Sequence, residues 1–300
     1  MSHVYIHADD FGLTPGINAN IFKAWKEGVL HSVSIMPNGY AFEDAVKLYQ
    51  QASFELQVHL NFIEGRALQP QSAGTFFCTS EGTFNHSFFS LYAASRNASG
   101  SQRMAMKQAV KNEMKAQIEK VTAILKPQSR LRVDSHQHIH MIPLFFECLT
   151  ELIDELKIDY IRIPREKISA GLALRHHPQI LATSNPAKVA LLNRLSKKAL
   201  RLLNNQSVKY PVWFIGVLHT GQMNLSHIQR SFELIKPYLS SHDEVEILLH
   251  PGGALSEEEH YWNQYPSLKK YYRHPNRQKE LQEMLRPELR EWVHQISNQV

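Results

Sequence analysis

Asp9 and Asp10 side by side, His59, His136 and His250 have the types and spacing to build a hydrolytic centre. A carboxylate with two imidazoles is a common facial ligand set that leaves positions open for water or substrate. Water on such an ion is acidified and becomes a nucleophile near neutral pH. A second carboxylate beside it could serve as base, and a histidine on the opposite side could protonate a leaving group. Each group alone has a plainer explanation. Asp-Asp-Phe-Gly could be a strand-to-loop turn, His59 a packed histidine, and His250-Pro-Gly-Gly another turn. His136-Gln-His138-Ile-His140 is harder to set aside, because alternate histidines in an extended segment share one face and can share a metal. Turn and packing explanations do not cover all of these groups together.

The elements that must position them alternate short β-rich runs with helical stretches, as α/β folds do. Strands are expected over residues 4–7, 33–36, 55–60, 131–135, 160–163, 212–218 and 245–249, with helices over 16–25, 42–52, 103–125, 143–156, 187–203 and 228–239 and a final one from about Gln278. Two stretches break the rhythm, a long polar segment at about 61–102 and another at about 164–210. Otherwise the chain reads as one domain over 1–300. Seven strand–helix units imply a TIM-like (β/α) barrel, complete or incomplete. An open doubly wound sheet is the alternative, weakened by the lack of a GxGxxG after any strand. In a barrel the strand ends meet on one face. Asp9, Asp10, His59, His136, Arg162, Arg165, His219 and His250 all fall at such ends.

Composition narrows the function classes. The net charge of +5 over 300 residues comes without a long Lys/Arg run, so a solvated surface is expected and not nucleic-acid binding. Cys78 and Cys148 are the only cysteines. They form no CxxC pair, which excludes a thiolate zinc site, and no disulfide framework. The N-terminal residues lack a basic region followed by an apolar one. No apolar run approaches the ~18 residues of a membrane span. A cytoplasmic location is expected.

Taken in order, Ala8-Asp9-Asp10-Phe11-Gly12, Pro37-Asn38-Gly39, His59-Leu60-Asn61 with Gly65 following, Asp134-Ser135-His136-Gln137-His138-Ile139-His140 and His250-Pro251-Gly252 form a specific pattern. On these motifs the chain resembles the YdjC-like carbohydrate deacetylases, which include chitooligosaccharide deacetylase and hopanoid-biosynthesis-associated members. The resemblance covers most of the chain. It implies a barrel of the glycoside hydrolase/deacetylase type and removal of an N-acetyl group from an acetylated amino sugar, a linear amide. It implies that Asp10, His59 and His136 bind one divalent metal ion. By analogy with the related NodB-type deacetylases it implies Asp9 as general base and His250 as general acid. Asn61, His138, His140, Arg162, Arg165 and His219 are the candidate substrate contacts. Gln57 and Phe62-Ile63 depart from the usual family residues, which weakens transfer of substrate identity but not of the metal set. The ligand chemistry favours zinc or another transition metal, whereas the resemblance suggests magnesium, which prefers oxygen ligands.

The competing functions are another metal-dependent amidohydrolase or phosphoesterase, and a non-catalytic carbohydrate-binding barrel. A typical amidohydrolase places HxH after its first strand, where this chain has Asp-Asp. A two-metal phosphoesterase needs more carboxylates, so one metal per chain would favour the deacetylase. A carbohydrate or glycolipid is the expected partner, with a homodimer as one assembly. The basic amphipathic helix at 187–203 carries Leu191, Leu192, Leu195, Leu202 and Leu203 on its apolar face. It either packs onto the barrel or makes a peripheral membrane contact near a lipid-linked substrate. With Asp9 as base and His250 as acid, a bell-shaped pH profile of kcat/KM is expected.

Overall fold

The computed structural model describes residues 3–70, 76–168, 183–253 and 256–299. Its strands are β1 (His3–Phe11), β2 (Ser32–Ile35), β3 (Glu55–Leu60), β4 (Arg132–Ser135), β5 (Tyr160–Ile161), β6 (Trp213–Ile215) and β7 (Glu244–Leu249). They form one sheet in the order β5-β4-β3-β2-β1-β7-β6, and every pairing is parallel. The sheet curls so that each edge strand meets the segment flanking the other. Lys209 bridges to Tyr160, the Ile161 N–H donates to the Lys209 carbonyl (2.9 Å), and the Phe214 N–H donates to the Arg165 carbonyl (2.9 Å). The result is a curled seven-strand half-barrel flanked by helices.

The strands alternate with period two. Val4, Ile6 and Ala8 of β1, Val33 and Ile35 of β2, Leu56 and Val58 of β3 and Val245 and Ile247 of β7 all join the apolar core. That core also takes in Ile17 and Ile21 of helix Pro15–Glu27, Val110, Met114 and Ile118 of helix Gly100–Thr122, and Phe145 and Leu149 of helix Pro143–Leu156. The other face of the strands is polar: His7 and Asp9, Ser32 and Ser34, Gln57 and His59, Arg132 and Asp134, and Glu246 are all buried. The half-barrel therefore encloses hydrogen-bonding and charged groups in place of the aliphatic layers that usually fill such a fold.

Several expectations are corrected. β1 does not stop at His7 but runs through Asp9 and Asp10, with an irregular register against β2 between Ala8 and Phe11. Residues 136–141 are not extended. They form a 3-10 turn in which Gln137 (φ 52°) and His138 (φ 57°) adopt left-handed backbone, so the three histidines diverge. The polar segment at 61–102 contains helix Phe88–Asn97, closed at its start by reciprocal Ser87 and Ser90 bonds. Strands β5 and β6 are shorter than their apolar runs suggest.

Helix Asn185–Leu203 buries Val189, Leu192, Leu195, Ala199 and Leu203 in the core, and only Leu202 of its expected apolar face is strongly exposed (49%). Packing, the first of the two expected readings, accounts for this buried face. Among the described residues no helix is long and apolar enough to cross a membrane. Of the 164–210 stretch, residues 169–182 lie outside the described residues, as do 71–75 of the earlier one. The C-terminal tail supplies helices Pro266–Tyr272, Pro275–Leu285 and Pro287–Gln299, each opened by a proline, where its missing N–H costs nothing.

Candidate active site

The end of β1 sets the centre. Its alternation sends His7 and Asp9 inward, and Asp10 follows them because its backbone turns left-handed (φ 72°). Such a conformation is costly for a non-glycine residue and persists only where the surroundings enforce it. Here they do. The Leu13 N–H closes onto the Asp10 carbonyl (3.1 Å), the Gly12 N–H donates to Asn18 Oδ1 (2.6 Å), and Gly39 presses against the Gly12 backbone. A Cβ at Gly39 would lie 2.2 Å from the Gly12 carbonyl oxygen, which explains the glycine of the Pro-Asn-Gly motif.

Asp10, His59 and His136 converge in this space, all buried. Asp10 Oδ1 lies 2.9 Å from His136 Nδ1 and 3.4 Å from His59 Nε2. Donors about 2.0–2.2 Å from one ion lie about 3–3.5 Å from each other, so these separations suit ligands of a shared metal. His59 Nδ1 is hydrogen-bonded to Asp134 Oδ1 (2.6 Å), and its Nε2 makes no hydrogen bond among the described residues. That arrangement makes Nε2 the nitrogen that can turn to a cation once its proton leaves. Two further clusters, His7 with Asp134 and Glu246 and Asp9 with His59 and Asp134, also have ligand-like spacing. Both already hold the Arg162 guanidinium, which repels a second cation there. Among the described residues, the Asp10, His59 and His136 cluster is thus the group that fits a divalent ion.

Arg162 lies beneath this centre with no exposed surface. It grips Asp9 with two bonds (3.0 and 2.9 Å) and also reaches Asp134 (2.6 Å) and Glu246 (2.5 Å). Burial alone would raise the Asp9 carboxyl, but the Arg162 charge together with His59 and the His7 contact outweighs it and holds Asp9 ionised, well below the usual carboxylate range. His59 moves the other way. Burial opposes its charge, yet Asp134, Asp9 and Asp10 together push it up to about 10.

His250 stands across from Asp9, with Nε2 3.9 Å from Asp9 Oδ2. Its backbone N–H donates to Glu280 Oε2 (2.7 Å), and the same carboxylate accepts from the Gly221 N–H (2.6 Å). A tail helix thereby fixes the loops after β6 and β7 together. Burial, reinforced by the Arg277 charge, pushes His250 down to about 4. The Tyr272 hydroxyl is buried beside Asp10, and burial keeps it protonated.

The remaining expected site residues are placed differently. Asn61 is fully buried and spends its side chain on its own loop, donating to the Glu64 carbonyl (2.8 Å) and accepting from the Ile63 N–H (2.9 Å). His140 is a tether between Ser135 Oγ and the Arg162 carbonyl (2.8 Å). His138 packs edge-on against Phe214. Arg165 donates to the Val212 carbonyl through Nε (3.1 Å) and Nη2 (2.6 Å), helping to close the sheet. His219 stacks on His227 (4.3 Å between ring centres). Residues to which the sequence assigned no role stand closer: Asp134, which opens the histidine motif, Glu64, Tyr272 and Glu280.

The chain belongs to the YdjC-like protein family, whose model matches residues 3–295. It is 26% identical over 254 residues to a carbohydrate deacetylase of Mus musculus, covering 82% of this chain and 77% of the mouse protein. It is 31% identical over 156 residues to a carbohydrate deacetylase of Vibrio campbellii, covering 52% of this chain and 57% of that one. A crystal structure from Enterococcus faecalis V583, described as a candidate cellobiose-phosphate cleavage protein, matches with a TM-score of 0.68 over 98% of this chain and 94% of that chain. At 18% identity this is a likeness of fold.

Proposed function

We propose that the protein is a metal-dependent hydrolase that removes the N-acetyl group from an acetylated amino sugar, in an oligosaccharide or glycoconjugate. The curled sheet is read as an incomplete TIM-like barrel of the deacetylase type, one domain over residues 1–300 with insertions at about 61–102 and 164–210. The observation that carries the reading is the buried Asp10, His59 and His136 cluster beside an ionised Asp9, in a family whose curated relatives include carbohydrate deacetylases.

Asp10, His59 and His136 would hold one divalent ion, zinc or another transition metal by ligand chemistry and magnesium by family. When bound, the ion acidifies water and polarises the amide carbonyl. Asp9, kept ionised by Arg162, takes the proton of the attacking water. His250, whose Nε2 lies 3.9 Å from Asp9 Oδ2, is read as the group that gives a proton to the leaving amine. Because His250 is neutral above about pH 4 in the free protein, that proton has to be acquired during the reaction.

This changes the expected pH profile. The ratio kcat/KM reports the free enzyme, and a histidine pushed down to about 4 contributes no alkaline descent near neutrality. His250→Ala should lower the plateau without moving an alkaline limb. An alkaline limb in the wild type that disappears in His250→Ala would show instead that His250 begins the reaction protonated.

Metal uptake carries its own signature. A ligating imidazole must be neutral, while His59 without metal is held charged up to about pH 10. Binding at pH ~8 should release roughly one proton or more, seen as a buffer-dependent heat in titration calorimetry. Heats that do not vary with buffer ionisation enthalpy would remove His59 from the ligand set.

The activity itself is tested by an acetate-release screen across N-acetylated oligosaccharides and glycolipids, with metal content measured on the same sample. One metal per chain with acetate from an amino sugar is the expected result. Two metals per chain with release of phosphate from a phosphoester would favour the phosphoesterase.

A further inference from the structure

Glu64 is not among the groups expected from the motifs, yet the fold builds a place for it. The loop after β3 is held at several points around this residue. Asn61 and Asn38 both donate to the Glu64 carbonyl (2.8 and 3.2 Å), and the Gly65 N–H donates to the Tyr265 hydroxyl (3.1 Å). Gly65 adopts left-handed backbone (φ 78°) directly after it. The Glu64 side chain is buried (1% exposed), and neither carboxylate oxygen makes a hydrogen bond among the described residues. An isolated buried carboxylate is too costly to keep without a partner. The group it faces is His136, whose Nε2 lies 3.4 Å from Glu64 Oε1 and also lacks a hydrogen bond among the described residues.

His136 therefore has two distinct sides. Its Nδ1 is hydrogen-bonded to Asp10 Oδ1 (2.9 Å), a separation that also suits two ligands of one ion, and its Nε2 faces Glu64. His59 likewise lies between Asp10 and an outer carboxylate with the nitrogens exchanged, Nε2 toward Asp10 and Nδ1 on Asp134, although there the hydrogen bond is on the outer side. A carboxylate on the far nitrogen of a ligating imidazole fixes its tautomer and orientation and makes it a better donor.

We propose that Glu64 is a positioning residue for His136, holding a proton on Nε2 so that Nδ1 faces the metal, as Asp134 positions His59. The centre then has three direct ligands and two carboxylates acting through its imidazoles. This rests on the metal-centre reading above. Glu64 works through His136 and not on the ion itself.

The test is Co²⁺ and Zn²⁺ binding to purified wild type, Glu64→Gln and Glu64→Ala, with the Co²⁺ absorption spectrum and the melting temperature of each metal-free protein. Loss of such an outer partner typically weakens metal affinity ~10–100-fold. Glu64→Ala is expected to fall in that range. Glu64→Gln, whose amide oxygen can still accept from Nε2, is expected to lose less. In both, the Co²⁺ spectrum should keep the wild-type coordination number. If alanine fails to fold, the glutamine variant carries the comparison. Wild-type affinity in a folded Glu64→Ala would overturn the proposal, or wild-type affinity in Glu64→Gln if alanine does not fold. So would a spectrum showing one ligand fewer, which would make Glu64 a direct ligand. A wild type that binds neither ion would instead sink the metal-centre reading.

Discussion

Asp9→Asn is expected to keep its metal and to lose roughly 10²–10⁴-fold in kcat, the span typical of a lost general base. Asparagine preserves the size and one acceptor for Arg162, but it cannot take a proton. Asp10→Asn is expected to fail differently, with weakened metal affinity and partial recovery in excess metal. Adjacent residues in a regular strand would point apart, and only the left-handed backbone at Asp10 brings both carboxylates into one cavity. They still meet different partners there, Arg162 for Asp9 and the two imidazoles for Asp10. Metal content by mass spectrometry and kcat at saturating metal separate the roles. Metal loss in Asp9→Asn with retention in Asp10→Asn would reverse the assignment.

Arg162→Met should be the most destabilising single change in the polar interior. It removes the cation shared by Asp9, Asp134 and Glu246, all buried. Removing one partner of a buried ion pair costs about 3–5 kcal/mol, because the other charge is left uncompensated. A drop in melting temperature on the order of 10 °C follows for a chain of this size. The pH dependence has a definite sign. In the wild type Asp9 and Asp134 are lowered in the folded state, so their contribution is present above the unfolded carboxylate value and lost as pH falls through the lowered one. Without Arg162 their burial is offset only by the neighbouring histidines, so the folded state favours the ionised carboxylates less than the wild type does. The deficit of the variant should therefore be largest at neutral pH and shrink as pH falls through the carboxylate range. A deficit that is constant with pH would mean that Arg162 contributes packing and not charge.

The fold was legible where periodicity and turn chemistry agree. The seven strands and the long helices lie close to their apolar patterns, and the tail helices are announced by Pro266, Pro275 and Pro287. The polar interior was also written in the sequence, although easily passed over. His7 and Asp9, Ser32 and Ser34, Gln57 and His59, and Arg132 and Asp134 recur at every second position of strands that a fully buried parallel sheet would fill with aliphatic residues. The turn at 136–141 was not legible, because Gln137 and His138 carry none of the glycine or asparagine that signals left-handed backbone. Asp10 hid the end of β1 for a different reason, because Asp-Asp-Phe-Gly reads as a turn that ends a strand while the strand runs on to Phe11. Glu64 and Glu280 escaped notice because their roles depend on tertiary contacts: one sits in a polar stretch that reads as loop, the other on a helix whose pattern reads as surface.

The most direct test of the account is acetate release from an N-acetylated chito-oligosaccharide by the same enzyme before chelation, after chelation, and after return of one equivalent of divalent metal per chain. Release should stop on chelation and return with a single bound ion, and Asp10→Asn should need excess metal to follow. Full acetate release from a sample shown by mass spectrometry to contain no metal would contradict the mechanism at its centre.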